Sequence, residues 1–390
     1  MRNFEFHLST DLVFGKGAEE QTGKKIRQFG GSRALLVTGG GSVKKIGLFE
    51  KVTASLDAEG IPYMELFGVR PNPLMSLAYK GIDMARENDL DFIVAVGGGS
   101  CIDTAKCIAL GVPYGGDVWD FYDGTASPDG ALSVGCVVSI AAAGSEMGPV
   151  SVMTRDDPRQ KASARIPFNR PKFALLNPEW TYTMDAWQTA AGAVDTISHA
   201  HERYFSSDEN GELTDYLCEG IFKTVVHQAP IALENPEDYN ARAELMLCAC
   251  YAHNDVVGVG RGGSDSGSHS LSHELGAQFD VTHGASLAVV LPAWLRYNYK
   301  RAPKRFRQFF IRTFGVDESL PTDEIIQEGI SRYKAWLKSI GMPVTLDELG
   351  VPESAIDSMT EKCRSDKNGY TGNHFPLSKD DVRAIYRLCL

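Results

Sequence analysis

Several features that assign proteins to particular classes are missing from this 390-residue sequence. The N-terminus lacks the apolar core of a signal peptide, and apolar runs such as 132–144 are too short and too rich in glycine to span a bilayer. No C-x-x-C pair occurs, and the eight cysteines are dispersed, which is typical of reduced thiols in a long intracellular chain. The chain is therefore predicted to be cytoplasmic, with no membrane partner.

An excess of basic residues is also missing. The net charge is −11, and the lysines and arginines are scattered, so the sequence predicts no nucleic-acid-binding surface. The hydrophobic fraction of 43% and the charged fraction of 23% are those of a soluble globular protein. At this length more than one hydrophobic core is expected, so we predict two domains.

The order of elements predicts the fold class. Between 33 and 110, compact apolar strands alternate with helices, and two strands end in Gly-Gly-Gly-Ser turns, at 39–42 and 97–100. This order is typical of a parallel, doubly wound sheet. An edge strand or hairpin is predicted over 4–14 and one continuous helix over 43–59. Beyond 178 long amphipathic segments take over. We predict an α/β dinucleotide-binding domain over 1–184 and an all-helical domain over 185–390.

The two glycine turns are candidate phosphate sites, because a glycine turn that opens a helix exposes backbone N–H groups at the positive end of the helix dipole. Neither turn has the G-x-G-x-x-G spacing, and one such turn is weak evidence, but two favour a dinucleotide. The first turn has no carboxylate to bind a ribose 2′-hydroxyl, whereas Lys44 and Lys45 are close. This favours NADP(H) over NAD(H), unless both lysines are ordinary solvated helix residues.

Two charged groups follow the second glycine turn. Asp103 and Lys106 lie one helical turn apart, so they are either an exposed i,i+3 pair or groups that contact nicotinamide or phosphate. Spacing alone does not decide between these alternatives. Lys161 lies in a polar stretch and has no motif value from spacing.

Five of the nine histidines lie in three short segments between 195 and 283. The pairs Asp195/His199 and His269/His273 have the four-residue spacing that places two side chains on one face of a helix. Together with His283 they could supply a carboxylate and three imidazoles to one divalent metal, a ligand set that suits Fe²⁺ or Zn²⁺. The alternative for any single pair is a chance amphipathic helix.

Taken together, these residues resemble the iron-containing alcohol dehydrogenase family, in its NADPH-dependent butanol dehydrogenase and aldehyde reductase branch. The matching stretches are 39–47, 71–73, 95–106 and 144–146, followed by Asp195-x3-His199 and His269-x3-His273-x9-His283-Gly284. The resemblance covers almost the whole chain. It implies a Rossmann-like parallel sheet domain, a helical metal-binding domain, and a cleft between them for NADP(H) and one metal ion.

The resemblance also implies roles for individual residues. His273 matches the family's non-ligand histidine near the substrate, and Asp103 the carboxylate that meets the nicotinamide end, so both are candidate catalytic residues. Two positions depart from the family: Ala143 replaces a threonine, and His201 is either an extra pocket histidine or, as we prefer, a residue on the outer helix face. The implied metal ligands are Asp195, His199, His269 and His283. The implied cofactor-binding residues are Gly39, Gly40, Ser42, Gly98, Gly99, Ser100, Asp103, Ser145 and Lys161.

The implied reaction is reversible hydride transfer between NADPH and an aldehyde, with Fe²⁺ or Zn²⁺ polarising the carbonyl. The partners are then a small aldehyde or alcohol and a second copy of the chain in a homodimer. Three alternatives remain open: a polyol dehydrogenase of the glycerol type, a lyase of the dehydroquinate synthase type, and a non-enzymatic metal- or nucleotide-binding module. The lyase requires several converging basic residues, and only Arg203 and Arg261 lie near the ligands in sequence.

Overall fold

The computed structural model describes residues 1–142, 144–206 and 210–390, so the predicted departure at Ala143 lies outside the described residues. Contacts divide the chain into two compact units. The sheet unit comprises His7–Met184 and Pro236–Cys250, and the helical unit comprises Met1–Phe6, Asp185–Asn235 and Tyr251–Leu390. Residues 1–6 precede residue 184 in the sequence but belong to the helical unit, and residues 236–250 follow it but belong to the sheet unit.

All strands found in the described residues lie in the sheet unit. They are β1 Asp11–Phe14, β2 Ala34–Thr38, β3 Tyr63–Phe67, β4 Phe92–Gly97, β5 Ser133–Val138, β6 Val150–Arg155, β7 Gln160–Arg165 and β8 Phe173–Leu176. Six of them form a parallel sheet in the order β1-β8-β5-β4-β2-β3, and β6 pairs with β7 in a separate antiparallel ribbon. The inner strands β2 and β4 are buried at every position, which accounts for their uninterrupted apolar sequences.

Helices make up the rest of the regular structure. In chain order they are α1 Thr22–Gln28, α2 Ser42–Lys45, α3 Leu48–Ala58, α4 Met75–Glu87, α5 Gly99–Gly111, α6 Asp120–Asp123, α7 Ala186–Tyr204, α8 Glu212–Glu234, α9 Tyr239–His253, α10 Gly267–Phe279, α11 His283–Asn298, α12 Pro303–Phe314, α13 Thr322–Ser339, α14 Ile356–Lys362 and α15 Lys379–Arg387. In the helical unit α11 packs against α7, α10, α13 and α15. Its sequence is apolar around most of its circumference, as expected for a central helix.

The predicted fold class, a Rossmann-like parallel sheet followed by a helical part, is confirmed. Three local features refine or correct the predictions. Of the edge strand and the hairpin that were the alternatives over 4–14, the structure has the edge strand, β1, which covers only the end of the segment and pairs in parallel with β8. The helix predicted over 43–59 is broken at Gly47, whose φ of 81° lies in the left-handed region and separates α2 from α3. The polar stretch around Lys161, for which no element was predicted, is a strand, β7, which pairs with β6 and buries its alternate residues Ala162 and Ala164 in the hydrophobic core.

The described helices include no candidate membrane span. None of them combines the length and the apolar character that crossing a bilayer requires.

Candidate functional site

Helix α7 supplies the first two side chains of a candidate metal centre. Asp195 and His199 face the same side of α7, and Nε2 of His199 lies 3.4 Å from Oδ1 of Asp195. Both side chains are almost completely buried. Burial lowers the pKa of His199 well below its ordinary value, and the neighbouring imidazoles of His253 and His269 lower it further. His199 is therefore neutral near pH 7, which is the form that binds metals.

Helix α10 brings His269 to the same place. The ligand atoms of Asp195, His199 and His269 all lie within 4.8 Å of one another. Nδ1 of His269 lies 2.8 Å from Oε1 of Glu202, a carboxylate that also accepts hydrogen bonds from the Ser268 hydroxyl and the backbone N–H of His269. Because a carboxylate can only accept, it favours the proton on Nδ1 and leaves the lone pair on Nε2. That Nε2 is buried and has no hydrogen-bond partner among the described residues.

His283, the first residue of α11, completes the set, with Nε2 lying 3.7 Å from Oδ1 of Asp195. The hydroxyl of Ser286 donates to the carbonyl of His283, so in its 2.6 Å contact with Ser272 it must accept the Ser272 proton. Ser272 can then only accept from Nδ1 of His283, which lies 3.1 Å from its oxygen. This chain of hydroxyls assigns the His283 proton to Nδ1 and leaves Nε2 available for a metal.

Gly284 allows His283 to reach Asp195. A Cβ at Gly284 would lie 1.9 Å from the carbonyl oxygen of Ala191, far closer than atoms can approach. Only glycine therefore lets the first turn of α11 pack directly on the backbone of α7, one turn before Asp195. The sequence pair His283-Gly284 is thus explained by helix packing.

These four side chains fit a divalent transition metal. Ligand atoms at zinc–nitrogen and zinc–oxygen distances in a tetrahedral site are roughly 3.4 Å apart. The two measured separations from Oδ1 of Asp195, 3.4 Å and 3.7 Å, agree with that value. One carboxylate and three imidazoles also leave the bound ion with a net positive charge.

Three further histidines lie near these ligands. His273 is partly exposed, and its ring centroid lies 5.6 Å from that of His283 and 6.1 Å from that of His269. His253, which sequence reasoning missed, stacks on His199 with ring centroids 4.0 Å apart. His201 is 1% exposed and packs against Phe205 and Trp294, so the preferred prediction of an outer helix face is wrong. Burial lowers the pKa of His201 to about 3.

The two arginines closest in sequence to the ligands are engaged elsewhere. Arg261 is completely buried, where its guanidinium pairs with Asp215 and donates to the carbonyl of Gly211 at 2.9 Å. Arg203 donates to the carbonyl of His199 at 2.9 Å and lies 3.6 Å from Asp255. Neither side chain supplies the converging positive charge that binding of a polyanionic substrate requires.

In the sheet unit, the two glycine turns follow the adjacent parallel strands β2 and β4 and so lie at the same edge of the sheet. Gly41 has a φ of 102°, and a Cβ at Gly98 would lie 2.8 Å from Ile140. The first turn opens only the four-residue α2, so its helix dipole is small. The second opens the thirteen-residue α5 and is the better phosphate site. The turns contain the predicted cofactor-binding residues Gly39, Gly40 and Ser42, and Gly98, Gly99 and Ser100.

Of the two alternatives for Asp103 and Lys106, the exposed i,i+3 pair does not hold for Lys106, which is 0% exposed. Its Nζ donates to the Ser145 hydroxyl at 2.9 Å, and that hydroxyl donates to Oδ1 of Asp103 at 2.9 Å. Burial raises the pKa of Asp103 to about 6, against the opposing effects of Lys106, Ser145 and Lys161. The structure thus brings together Asp103, Ser145 and Lys161, and Lys161 also donates to Asn72 at 3.0 Å.

The lysines beside the first turn differ from each other. Lys44 pairs with Glu65 at 2.7 Å, and the other oxygen of that carboxylate accepts from Thr38. Lys45 is exposed and forms no ion pair with another described residue. Of the two, only Lys45 keeps an uncompensated charge next to the turn.

Comparison with known proteins assigns the family. Residues 9–178 match the family model described as iron-containing alcohol dehydrogenase, and residues 189–390 match the C-terminal model of the Fe-containing alcohol dehydrogenase family. The chain belongs to the iron-containing alcohol dehydrogenase family. The predicted resemblance is confirmed, and membership makes the protein an alcohol dehydrogenase or aldehyde reductase that uses a nicotinamide cofactor.

Three similar proteins illustrate the range of this family. The chain is 39% identical to a probable NADH-dependent butanol dehydrogenase 2 of Bacillus subtilis, over 100% of both chains. It is 33% identical to the NADPH-dependent aldehyde reductase YqhD of Escherichia coli, over 99% of both. The crystal structure of NADH-dependent butanol dehydrogenase A from Thermotoga maritima, 36% identical, superposes with a TM-score of 0.96 over 100% of this chain and 99% of that one.

Sequence reasoning missed the residues that orient the ligands. Glu202 and Ser272 act on His269 and His283 through side-chain contacts between residues of different helices or of different turns, which sequence spacing does not reveal. His253 lies 54 positions from the ring on which it stacks, so only the tertiary structure reveals it. The position of Glu202 three residues after His199, on the same helical face, was the one local signal available.

Proposed function

We propose that this enzyme catalyses reversible hydride transfer between NADP(H) and an aldehyde or primary alcohol, with Fe²⁺ or Zn²⁺ held by Asp195, His199, His269 and His283. The observation that carries the proposal is the arrangement of four side chains: the ligand atoms of Asp195, His199 and His269 lie within 4.8 Å of one another, and Nε2 of the partly exposed His283 lies 3.7 Å from Oδ1 of Asp195. A metal bound there would polarise the carbonyl and stabilise the negative charge that develops on its oxygen. NADPH would supply the hydride.

The protein's own side chains have defined tasks in this reaction. Glu202 and Ser272 orient His269 and His283, as described above. His273 is the candidate proton carrier, because it is partly exposed, lies beside two ligands, and belongs to the residue type that titrates closest to neutral pH. Its imidazole would exchange the proton of the alcohol with solvent.

Metal analysis of anaerobically purified protein, combined with an NADPH-oxidation screen over short and long aldehydes, tests the proposal. We expect one equivalent of iron or zinc and metal-dependent oxidation of NADPH by at least one aldehyde. Chelated protein provides the control, since it should lose activity and regain it when metal is restored. Stoichiometric metal with no turnover of any aldehyde or alcohol would contradict the proposal and support a closed structural site.

The preference for NADP(H) rests on the absence of a carboxylate from Gly39–Ser42 and on the exposed Lys45. The relatives described above include NADH- and NADPH-dependent enzymes, so the ratio of kcat/KM for the two cofactors is the decisive measurement. We expect NADPH to be favoured, and Lys45→Ala to lower kcat/KM about tenfold for NADPH alone. Lys51→Ala, which removes a surface lysine paired with Glu20, is the matched control. Equal efficiency with both cofactors would contradict the preference.

Two alternative reactions are separated by the same assays. A polyol dehydrogenase would oxidise vicinal diols in preference to simple alcohols. A lyase would consume no NADPH in net turnover, and the engagement of Arg203 and Arg261 in structural contacts argues against it. Cytoplasmic location and a homodimer stay predictions, which fractionation and light scattering can check.

A further inference from the structure

The ring of His199 lacks the support that the other two imidazole ligands have. In metal sites the ring nitrogen that does not bind the metal usually donates to an acceptor, and loss of that acceptor weakens metal binding about 10- to 100-fold. Glu202 contacts His269 in this way, and Ser272 contacts His283. Within the part of the chain that the structure describes, the ring of His199 forms no hydrogen bond. Its orientation must therefore depend on packing.

Two other imidazole rings stack on His199. The ring centroid of His253 lies 4.0 Å from that of His199, and the two planes are 13° from parallel. The centroid of His269 lies 4.7 Å away, with planes 22° from parallel. His269 is itself one of the four candidate ligands, whereas His253 is not. A stacked neighbour opposes tilting of a ring, because tilting breaks the contact between the two faces.

The backbone on both sides of His253 is well anchored. His253 is the last residue of α9, and its neighbours Ala252 and Asn254 are both 0% exposed. Just beyond the helix, Oδ1 of Asn254 accepts from the backbone N–H of Val256 at 3.1 Å. The ring of His253 is thus held against His199 by an ordered segment, so the contact requires little additional loss of conformational entropy. The side chain of His253 remains partly exposed.

We propose that His253 is a positioning residue, whose stacked ring fixes the plane of the His199 imidazole and so directs Nε2 of His199 toward the metal. This inference rests on the proposed function, since it requires a metal on the four ligands. The flat face of the His253 ring carries the effect, and its nitrogen atoms do not. His253 thus does for His199 by stacking what Glu202 and Ser272 do for the other two rings by hydrogen bonding.

A matched pair of variants, titrated with Co²⁺ and followed by visible absorption, tests the proposal. His253→Leu keeps a side chain of similar bulk but has no flat face, whereas His253→Phe keeps a flat face but has no nitrogen. We expect Co²⁺ to bind His253→Leu about tenfold more weakly than wild type, and His253→Phe within about twofold of wild type. The absorption bands of bound Co²⁺ should shift in His253→Leu alone, because the direction of one ligand changes. A general loss of stability would not produce that shift.

Two controls make the outcome decisive. His227→Ala removes an exposed histidine of α8 and should bind Co²⁺ as wild type does. His253→Ala, which also lacks a flat ring, takes the place of His253→Leu if that variant does not fold. Equal weakening in His253→Leu and His253→Phe would overturn the inference, because the nitrogen atoms would then carry the effect. Wild-type affinity and absorption in His253→Leu would overturn it as well. Failure of wild type to bind Co²⁺ would instead overturn the proposed function.

Discussion

Replacing Gly284 by alanine is the sharpest test of how helix packing creates the metal centre. The added Cβ would lie 1.9 Å from the carbonyl oxygen, 2.5 Å from the carbonyl carbon and 2.8 Å from the Cα of Ala191. These are backbone atoms in the middle of α7, so no side-chain rotation can relieve the overlap. The first turn of α11 must therefore move away from α7.

The size of that movement can be estimated from the contact distance. Ordinary carbon–oxygen contacts begin at roughly 3.4 Å, so the two backbones must separate by about 1 Å or more. Overpacking of this kind costs about 1–3 kcal/mol of folding free energy. Metal–ligand distances, in contrast, tolerate only about 0.2 Å. His283 adjoins the substituted residue, so its Nε2 should leave the position 3.7 Å from Asp195, and the metal should lose one of four ligands.

The assay is a Co²⁺ titration followed by visible absorption, together with thermal unfolding with and without metal. Gly220→Ala is the matched control, because Gly220 lies inside α8, is exposed, and has no neighbouring atom within 4 Å of the position that a Cβ would take. The control should be up to about 1 kcal/mol more stable than wild type and bind Co²⁺ normally. Gly284→Ala should be destabilised and should bind Co²⁺ at least about tenfold more weakly. Normal Co²⁺ affinity in Gly284→Ala would refute the reasoning.

Three further predictions concern single side chains. Glu202→Gln replaces the carboxylate beside Nδ1 of His269 by a neutral amide with only one accepting oxygen. Co²⁺ affinity should therefore fall about 10- to 100-fold by the same titration, and unchanged affinity would mean that packing alone orients the ring. His269→Ala should lose both metal and turnover, whereas His273→Ala should keep its metal and lose about 100-fold in rate; loss of metal from His273→Ala would exchange the two roles. Because burial raises the pKa of Asp103 to about 6, its carboxylate is present above that pH and is protonated as the pH falls through it. Calorimetry should therefore show weaker NADP⁺ binding at about pH 5 than at about pH 8, and Asp103→Asn should remove this difference.

Sequence patterns predicted those features that depend only on residues close together in the sequence. The apolar runs of β2 and β4 and the glycines that end them predict buried parallel strands and their turns. The four-residue spacing of Asp195 and His199 places both side chains on one face of a helix, whatever surrounds that helix. The break at Gly47 was missed because a glycine inside a helical pattern is often tolerated, and only the observed left-handed φ shows that this one ends α2.

The burial and the contacts of individual side chains could not be predicted from these local patterns. Lys106 has the sequence context of an exposed helix residue, yet the turn 144–150 covers it and satisfies its ammonium group. His201 was expected on an outer face, and it lies instead in an aromatic cluster formed with Trp294, 93 residues away. Burial depends on which segments pack against a helix, and those segments are distant in the chain.

The sequence by itself determined the fold class, the two glycine turns and the identity of the clustered carboxylate and imidazoles, because periodicity and turn chemistry act over a few residues. Only the tertiary structure decided which nitrogen of each imidazole is available. That choice depends on Glu202 for His269 and on Ser272 for His283, and on the close approach of α11 to α7 at Gly284. Hydrogen bonds and close contacts between separate helices require all of the partners to be in place. They are therefore properties of the packed unit and cannot be assigned from any one of its segments.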